Sequence, residues 1–386
     1  MVAKVTSKLT DTSRCVLSTA DLKAALSWLR KCTKPKGISP VLAGVLIQTT
    51  DERIKLSVTD GDGCCSAVLE AAEVSGPFGC AVNAETLYRI VSLLRDESIT
   101  LESLRDTLSV AGDDSRLMLP TTPGDGFPTF PPPVGDAHHK IMAGVLLDTH
   151  RMVSAIIPDD DDPKRRFQFR GILTEVKDAK LVLQATNGRA FVMASGTAPF
   201  QNTPAERKNQ CIVSDDAFRL IAAATKDDRD ADCRVWLEKN TVHFQTDAVS
   251  VSYRLLEGKF PDGKKWIIDA HKTAATVKMP AVALKDAVNR AAVVHDMGKF
   301  TVEDGESEMR IETEKEASNA VVKISVPAND CTGEDAVTLD LNFLRDGIKS
   351  LADDDVLTLF LGGKTPTKIE ARDGDFLMAL APIVEK

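Results

Sequence analysis

Residues 171–195 carry the sequence GILTEVKDAKLVLQATNGRAFVMAS, in which apolar residues alternate with polar ones. Two turn sequences interrupt the alternation, KDAK at residues 177–180 and TNG at residues 186–188. Period-2 apolar runs bounded by Asp, Asn and Gly turns are typical of an antiparallel meander. This stretch therefore predicts consecutive strands joined by tight turns.

A related stretch lies 127 residues earlier, since 171 − 44 = 127. It reads GVLIQTTDERIKLSVTDGDGCCSAVL from Gly44, with TDG at residues 59–61 in the place of TNG. A weaker third copy, FTVEDGESEMRIETEKEASNAVVKISV, begins near Lys299. A chain of 386 residues usually folds as two or three domains. We therefore predict a three-fold repeat with domains over residues 1–135, 136–270 and 271–386.

Each predicted domain also contains two amphipathic helices. Apolar residues at i, i+3, i+4 and i+7 place one apolar face on each of them. The predicted helices cover residues 20–31, 84–94, 148–157, 215–225, 282–294 and 340–351. The order helix, strands, helix, strands recurs in every third of the chain. The sequence therefore predicts an α+β fold in which each repeat has an antiparallel sheet with two helices on one side.

The composition is that of an ordinary soluble protein, with 43% hydrophobic and 27% charged residues. No apolar run reaches the length of a membrane span, and the N-terminus lacks a signal-peptide core. Eight cysteines include no CxxC pair, which favours reduced thiols that pack as small hydrophobic side chains. We therefore expect a cytoplasmic protein that does not bind membranes.

The distribution of charge predicts a basic surface on the helices. The net charge of −9 argues against a protein that coats nucleic acid with its whole surface. The acids, however, cluster in loops, whereas the polar helix faces carry cations separated by Ser, Ala and Asn. Such a surface would contact phosphates without reading bases. The predicted nucleic-acid-facing residues are Lys23, Arg30, Arg89, Arg151, Arg219, Lys226, Lys285, Arg345 and Lys349 on helices, with Lys34, Lys36, Lys164, Arg165 and Arg166 in two loops.

Motifs for catalysis are missing from the sequence. No GxSxG, GxxxxGK[ST] or GxGxxG occurs, and the six histidines have neither HxH nor HExxH spacing. We therefore predict a non-enzyme with no cofactor and no metal. Acidic runs at residues 159–162 and 227–230 leave one alternative open, a metal-dependent nuclease or phosphohydrolase built on duplicated domains.

Four short motifs in register with the repeat resemble the bacterial sliding clamp, the DNA polymerase III beta subunit. They are TNGR at 186–189, FPD at 260–262, NRAAVV at 289–294 and ALAPI at 379–383. The resemblance covers essentially the whole chain. It implies the DNA clamp fold, with two chains joined head to tail as a ring, sheets outside and helices lining a central channel. It also implies a processivity factor that encircles double-stranded DNA and tethers the replicative polymerase.

The resemblance also implies two protein-binding sites. Leu117 would meet Val293 and Val294 of a second chain at the homodimer interface. An apolar groove between the second and third domains would bind linear motifs of DNA polymerase and clamp-loader subunits. Its residues would be Phe169, Thr186, Gly188, Arg189, Phe191, Pro261, Trp266, Ala379, Pro382 and Ile383.

The chain departs from the family pattern beside this groove. Arg189-Ala190 stands where the family has His-Arg, Ala381 stands where it has Met, and Trp266 replaces a smaller residue. These departures concern the preference of the groove for particular motifs more than its location. A clamp-fold scaffold that does not encircle DNA is a further alternative.

Overall fold

The computed structural model describes residues 12–34, 40–50, 52–157, 167–198, 200–201, 210–263, 265, 271–315 and 320–384. The chain divides into two compact units. Unit 1 comprises residues 1–143 and 216–254, and unit 2 comprises residues 144–215 and 255–386. The division between the units falls inside the predicted second domain, and the three-domain organisation stays a prediction.

All six predicted helices are found among the described residues. They are α1 (Thr19–Leu29), α2 (Ala84–Leu93), α3 (Ala143–Ser154), α4 (Asp215–Thr225), α5 (Ala281–Ala292) and α6 (Leu341–Ile348). α1 packs against α2 in unit 1, and α5 packs against α6 in unit 2. Their apolar faces are buried, which leaves the opposite faces for polar residues.

The prediction for α3 was wrong at both ends, because the sequence favoured residues 148–157. The helix begins at Ala143, whose backbone N–H donates to the carbonyl of Ala231 at 2.9 Å. It ends at Ser154, whose carbonyl accepts the N–H of Ile157 at 3.1 Å in a turn. Pro158 follows in the sequence, and the residue before a proline disfavours the helical conformation.

Strand residues at the starts of three helices act as caps. Ser18 accepts the N–H of Asp21 at 3.3 Å, and Asn83 accepts the N–H of Thr86 at 2.9 Å. Asp340 accepts two N–H groups of α6, each at 3.0 Å. Such side chains satisfy the N–H groups that the first turn of a helix leaves without partners. Each of these helices therefore begins directly where a strand ends.

Unit 1 contains two antiparallel sheets. Its strands are β1 (Thr12–Ser18), β2 (Gly44–Thr50), β3 (Arg53–Thr59), β4 (Gly63–Leu69), β5 (Ala71–Ser75), β6 (Gly79–Asn83), β7 (Ser98–Leu104), β8 (Thr107–Ala111), β9 (Arg116–Pro120), β10 (Thr122–Pro123), β11 (His139–Met142), β17 (Asp232–Leu237), β18 (Thr241–Gln245) and β19 (Val249–Arg254). One sheet has the order β5-β1-β7-β8-β9. The other runs β10-β6-β2-β3-β4-β19-β18-β17-β11.

Unit 2 is also built from antiparallel sheets. Its strands are β12 (Gly171–Lys177), β13 (Lys180–Thr186), β14 (Ala190–Thr197), β15 (Phe200–Gln201), β16 (Gln210–Ser214), β20 (Ala275–Pro280), β21 (Met297–Val302), β22 (Glu308–Lys315), β23 (Ala320–Pro327), β24 (Asp330–Thr332), β25 (Asp335–Asp340), β26 (Val356–Leu361), β27 (Thr367–Ala371) and β28 (Phe376–Leu380). One sheet has the order β16-β12-β13-β14-β28-β27-β26-β20-β24, and another has the order β23-β22-β21-β25.

The first two copies of the predicted repeat have matching strand registers. The meander β12-β13-β14 has the same order as β2-β3-β4. In unit 1, β4 pairs with β19 so that Gly63 lies opposite Tyr253. In unit 2, β14 pairs with β28 so that Ala190 lies opposite Leu380. Since 63 + 127 = 190 and 253 + 127 = 380, both pairings keep the spacing found in the sequence. We call these two pairings the first and second junctions.

Candidate functional site

The turn of the second junction is held by two short polar side chains. Thr186 Oγ1 donates to the carbonyl of Ala190 at 2.7 Å and accepts the N–H of Gly188 at 3.1 Å. Asn187 Oδ1 accepts the N–H groups of Arg189 at 2.9 Å and Ala190 at 2.8 Å. Gly188 has φ of +90°, a conformation that glycine adopts without a steric penalty. The turn is therefore specified by its own sequence.

The turn of the first junction has the same hydrogen bonds. Thr59 Oγ1 donates to the carbonyl of Gly63 at 2.6 Å and accepts the N–H of Gly61 at 3.1 Å. Asp60 Oδ1 accepts the N–H groups of Asp62 at 2.9 Å and Gly63 at 2.7 Å. Gly61 has φ of +95°, close to the value at its counterpart. The two turns are equivalent in backbone and in bonding.

An aromatic ring lies beside the turn of the second junction. Phe169 is half-buried in a 3-10 helix over Phe167–Arg170, which precedes β12. A Cβ placed on Gly188 would lie 3.4 Å from the tip of the Phe169 ring, an ordinary van der Waals distance. At the first junction no described atom of another segment lies within 4 Å of a Cβ placed on Gly61. The second turn therefore has an apolar wall that the first turn lacks.

The floor of the second junction is apolar and fully packed. Phe191 on β14 lies opposite Ala379 on β28, and both side chains are completely buried. Gly263 lies so close to the Phe191 ring that a Cβ added there would overlap it. Its neighbour Pro261 is half-buried and accepts the N–H of Gly263 at 2.8 Å. Phe191 and Ala379 therefore support this region from below and are not exposed in it.

The C-terminal segment runs along the same turn. Ala381 N–H donates to the carbonyl of Arg189 at 2.9 Å. Ile383 N–H donates to the carbonyl of Thr338 at 2.8 Å, and the side chains of Pro382 and Ile383 are half-buried. The backbone of the turn and the C-terminal segment are thus joined by a hydrogen bond. Trp266, the remaining predicted groove residue, lies outside the described residues.

The first junction is closed by Tyr253, a residue that the sequence analysis did not single out. The phenol of Tyr253 donates to Asp60 Oδ2 at 2.7 Å, and its ring occupies the space that a Cβ on Gly63 would fill. Burial raises the pKa of Tyr253 far above its ordinary value, and the negative Asp60 adds to the effect. Lys34 Nζ lies 3.6 Å from Asp62, so charges surround this turn. The 127-residue register was the signal that could have identified Tyr253, since its counterpart is Leu380.

Several of the predicted nucleic-acid-facing cations are bound to the protein itself. Arg30 pairs with Glu85 at 3.0 Å and lies 4.3 Å from the ring centre of Tyr88. Lys285 donates to the carbonyl of Leu351 at 2.7 Å and to Asp353 Oδ1 at 2.8 Å, and only 16% of its side chain is exposed. These two charges are partly neutralised where they stand.

The other predicted cations fall into three groups. Arg151 donates to the carbonyl of Ser350 at 3.2 Å, Lys226 lies 3.4 Å from Asp227, and Lys349 lies 3.6 Å from Asp346. Lys23, Lys34, Arg89 and Arg219 are exposed, as are Lys226 and Lys349, and Arg345 is half-buried. Lys36, Lys164, Arg165 and Arg166 lie outside the described residues.

Two of the three predicted interface residues, Leu117 and Val293, are exposed in their own units. Leu117 is 38% exposed on β9, the last strand of its sheet. It lines a cleft of about 820 Å³ with Leu93 at the end of α2, a side chain that is 81% exposed. Val293 follows α5 and is 85% exposed, whereas Val294 is half-buried. Apolar side chains exposed to this degree at a sheet edge are typical of surfaces that pair with another chain.

Within the described ranges, His, Cys, Asp and Glu side chains form no group of three that could hold a metal ion. The acidic run at residues 159–162 lies outside those ranges, and Asp227, Asp228 and Asp230 are exposed. No helix in the described part of the chain is long and apolar enough to cross a membrane. All eight cysteines are free, and burial raises the pKa of the Cys211 and Cys233 thiols to about 12.

The chain is similar to known proteins both in sequence and in fold. Residues 14–131 match the family described as DNA polymerase III beta subunit, N-terminal domain. The crystal structure of the DNA polymerase III beta subunit from Thermotoga maritima aligns with a TM-score of 0.85 and 21% identity, over 97% of this chain and 100% of that one. This chain has the clamp fold. Residues 14–131 are similar to the N-terminal domain of the DNA polymerase III beta subunit, so the resemblance seen in the sequence is confirmed.

Beta sliding clamps are also similar to this chain in amino-acid sequence. Over 160 residues the chain is 25% identical to the beta sliding clamp of Helicobacter pylori, which covers 41% of this chain and 42% of that protein. Over 380 residues it is 22% identical to the beta sliding clamp of Streptococcus pneumoniae, which covers 93% of this chain and 96% of that protein. The first match spans less than half of its relative, whereas the second spans nearly all of it.

Proposed function

We propose that the chain is a DNA sliding clamp, a non-enzymatic processivity factor that holds the replicative polymerase on double-stranded DNA. The observation that carries the proposal is the clamp fold over 97% of the chain. A family match in the N-terminal domain and beta sliding clamps among the curated relatives support it. Such a protein works in the bacterial cytoplasm, and it needs neither a cofactor nor a metal.

The proposed clamp is a head-to-tail homodimer of three-domain chains that closes as a ring. Retention on DNA then comes from topology, and weak, screened phosphate contacts are enough for sliding. The exposed cations of the helices, Lys23, Arg89 and Arg219 among them, would face the duplex. Their engagement is proposed to be independent of sequence because phosphate contacts carry no base information.

The proposed partner groove lies at the second junction. Support comes from the half-buried ring of Phe169 beside Gly188 and from the hydrogen bond that joins Arg189 to Ala381. Linear motifs of polymerase and clamp-loader subunits would insert apolar anchors there. The first junction is not proposed as a groove, because no described side chain lies beside Gly61 as Phe169 lies beside Gly188.

Retention on circular DNA tests the ring. Protein loaded on nicked circular DNA should remain bound through gel filtration at high salt, and linearisation of the same DNA should release it. The physical reason is that a closed ring leaves a duplex only over an end. Equal loss from circular and linear DNA would contradict encirclement.

Dimerisation is tested by Leu117→Asp, since a carboxylate in an apolar seam would be desolvated without a partner. We expect dissociation to monomers at concentrations where the wild type is dimeric, as measured by sedimentation equilibrium. Lys177→Asp, at an exposed turn end of β12, is the control for a change of surface charge. An unchanged mass for Leu117→Asp would contradict the proposed seam.

A further inference from the structure

One short loop of unit 2 is joined to three helices. The α6–β26 loop, with the sequence SLADDD at residues 350–355, begins two residues after the end of α6. Arg151 of α3 donates to the carbonyl of Ser350 at 3.2 Å. Lys285 of α5 donates to the carbonyl of Leu351 at 2.7 Å. Because the C-terminal end of a helix is the negative end of its dipole, cations are favoured at this position.

The same loop supplies acceptors for the start of α5. This helix follows Pro280, whose side chain has no hydrogen-bonding atom. The carbonyl of Asp355 accepts the N–H of Ala281 at 2.8 Å. The carbonyl of Asp353 accepts the N–H of Val282 at 3.2 Å. Since the first N–H groups of a helix find no acceptors within the helix itself, α5 begins on the loop in which α6 ends.

A second arginine joins the loop to α3. Asp355 Oδ2 accepts the N–H of Ala352 at 2.7 Å and the Nε–H of Arg372 at 3.0 Å. The Nη1 of the same arginine lies 3.9 Å from the sulfur of Met152, a buried residue of α3. Arg372 has φ of +54°, a left-handed conformation that residues other than glycine adopt at a cost. The surrounding contacts therefore hold this residue in place.

We propose that the α6–β26 loop is a latch that fixes α3 to α5 and α6, with Arg151, Lys285 and Arg372 as its positioning residues. These residues all lie in unit 2. α3 is a helix of the predicted second domain, whereas α5 and α6 are helices of the predicted third domain, so the latch would hold two consecutive domains together. Because the same six residues bind all three helices, the loss of one contact should loosen the others.

The latch gives two of the predicted nucleic-acid-facing cations a role within the chain. Lys285 also donates to Asp353 Oδ1 at 2.8 Å, and only 16% of its side chain is exposed. Charged donors form stronger hydrogen bonds than neutral ones, and shielding from water strengthens them further. Arg151 is exposed, and its bond to the loop is longer. Lys285 should therefore contribute more to the latch than Arg151.

Hydrogen–deuterium exchange of the full-length protein, measured by mass spectrometry, tests the latch. The N–H groups of Ala281, Val282 and Ala352 report on it, because their acceptors belong to the loop. Arg151→Ala should accelerate their exchange about threefold, although the substitution is made in a different helix. Lys285→Ala should accelerate it about tenfold, because two charged hydrogen bonds are lost.

Three further variants separate the latch from other effects. Lys278→Ala removes an exposed lysine of β20 and should leave the exchange unchanged. Arg151→Lys keeps a cationic donor and should restore slow exchange. Arg372→Gly removes the side chain but suits the left-handed backbone, so faster exchange at Ala352 would come from the lost contact alone.

The pattern of exchange decides the outcome. Faster exchange that is confined to the loop and the start of α5 is the expected result. Unchanged exchange at Ala281 in Arg151→Ala would overturn the latch, because the contact with α3 would then be independent of α5. Acceleration of the same size in the meander β12-β13-β14 would also overturn it, since that would indicate a general loss of stability.

Discussion

The turn at residues 59–63 and the turn at residues 186–190 have the same hydrogen bonds but different neighbours. Gly63 lies under the ring of Tyr253, whereas its counterpart Ala190 lies opposite Leu380. At the first turn the phenol of Tyr253 donates a hydrogen bond to Asp60. The second turn has an aromatic wall at Phe169.

The difference shows how a repeated chain acquires a single specialised copy. Gly63 and Tyr253 form a complementary pair in which a residue without a side chain lies opposite a large ring. Ala190 and Leu380 form a second complementary pair, whose side chains differ less in size. Neither member can be exchanged alone without a clash or a void. The local turn is kept by its own Thr and Asx side chains, while neighbouring segments decide which ring packs beside it, Tyr253 at Gly63 of the first turn and Phe169 at Gly188 of the second.

The largest effect is expected for Gly63→Ala. The added Cβ would overlap the Tyr253 ring, and overpacking of this kind costs about 3 kcal/mol. Urea unfolding followed by the fluorescence of Trp28 and Trp236, both buried in unit 1, measures the loss. Adding Tyr253→Leu, which copies the pair of the second junction, should restore most of the stability. Full stability of Gly63→Ala alone would contradict the packing described here.

A smaller loss is expected when the side chain that bonds the turn is removed. Asp60→Ala and Asn187→Ala each leave two backbone N–H groups without an acceptor, at a cost of about 2 kcal/mol. Asp60→Ala should cost about 1 kcal/mol more, because the Tyr253 phenol loses its acceptor as well. Denaturant unfolding of both variants measures the difference. Identical losses would show that the Tyr253 bond contributes nothing.

High pH should weaken the first junction through Tyr253. Its pKa is raised in the folded protein, so its contribution is present in full below the unfolded value of about 10 and is lost as the pH rises above that value. Relative to Tyr253→Phe, the wild type should lose about 1.4 kcal/mol per pH unit above that point. Thermal unfolding of both proteins at a series of alkaline pH values tests this, and parallel curves would contradict it.

The smallest effect is expected for Asn187→Asp, which copies the first turn. Asp60 shows that a carboxylate can accept the same two N–H groups, so the free energy of unfolding should change by less than about 0.5 kcal/mol. A large loss of stability would indicate that the two turns are less alike than their hydrogen bonds suggest.

Local features of the fold could be predicted from the sequence, and long-range ones could not. The turn at residues 186–188 follows from Thr, Asn and Gly, whose bonds stay within four residues. The helices follow from apolar spacing, except where the start of α3 depends on a bond to Ala231. Tyr253 and Asp60 are 193 residues apart, and nothing in either segment alone indicates their contact.

The candidate sites show the same limit. A helical wheel assigns Lys285 to a polar face, but its ammonium group is held by Leu351 and Asp353 of a distant segment. From its apolar side chain alone, Phe191 could line the groove. In the structure it is fully buried beneath Gly263 and therefore lies under the groove. Side-chain charge and hydrophobicity can be read from the sequence. Which hydrogen-bond acceptors and packing neighbours each side chain meets depends on the tertiary structure.

The internal bonds of the helix cations have a consequence for motion along DNA. Arg30 and Lys285 are partly neutralised by Glu85 and Asp353, so each would release fewer counterions on meeting a phosphate than an unpaired cation. In the proposed ring these two residues would add little contact energy to break at each base-pair step. Their replacement by Ala should therefore change single-molecule diffusion of the clamp on DNA less than replacement of the exposed Lys23 and Arg89.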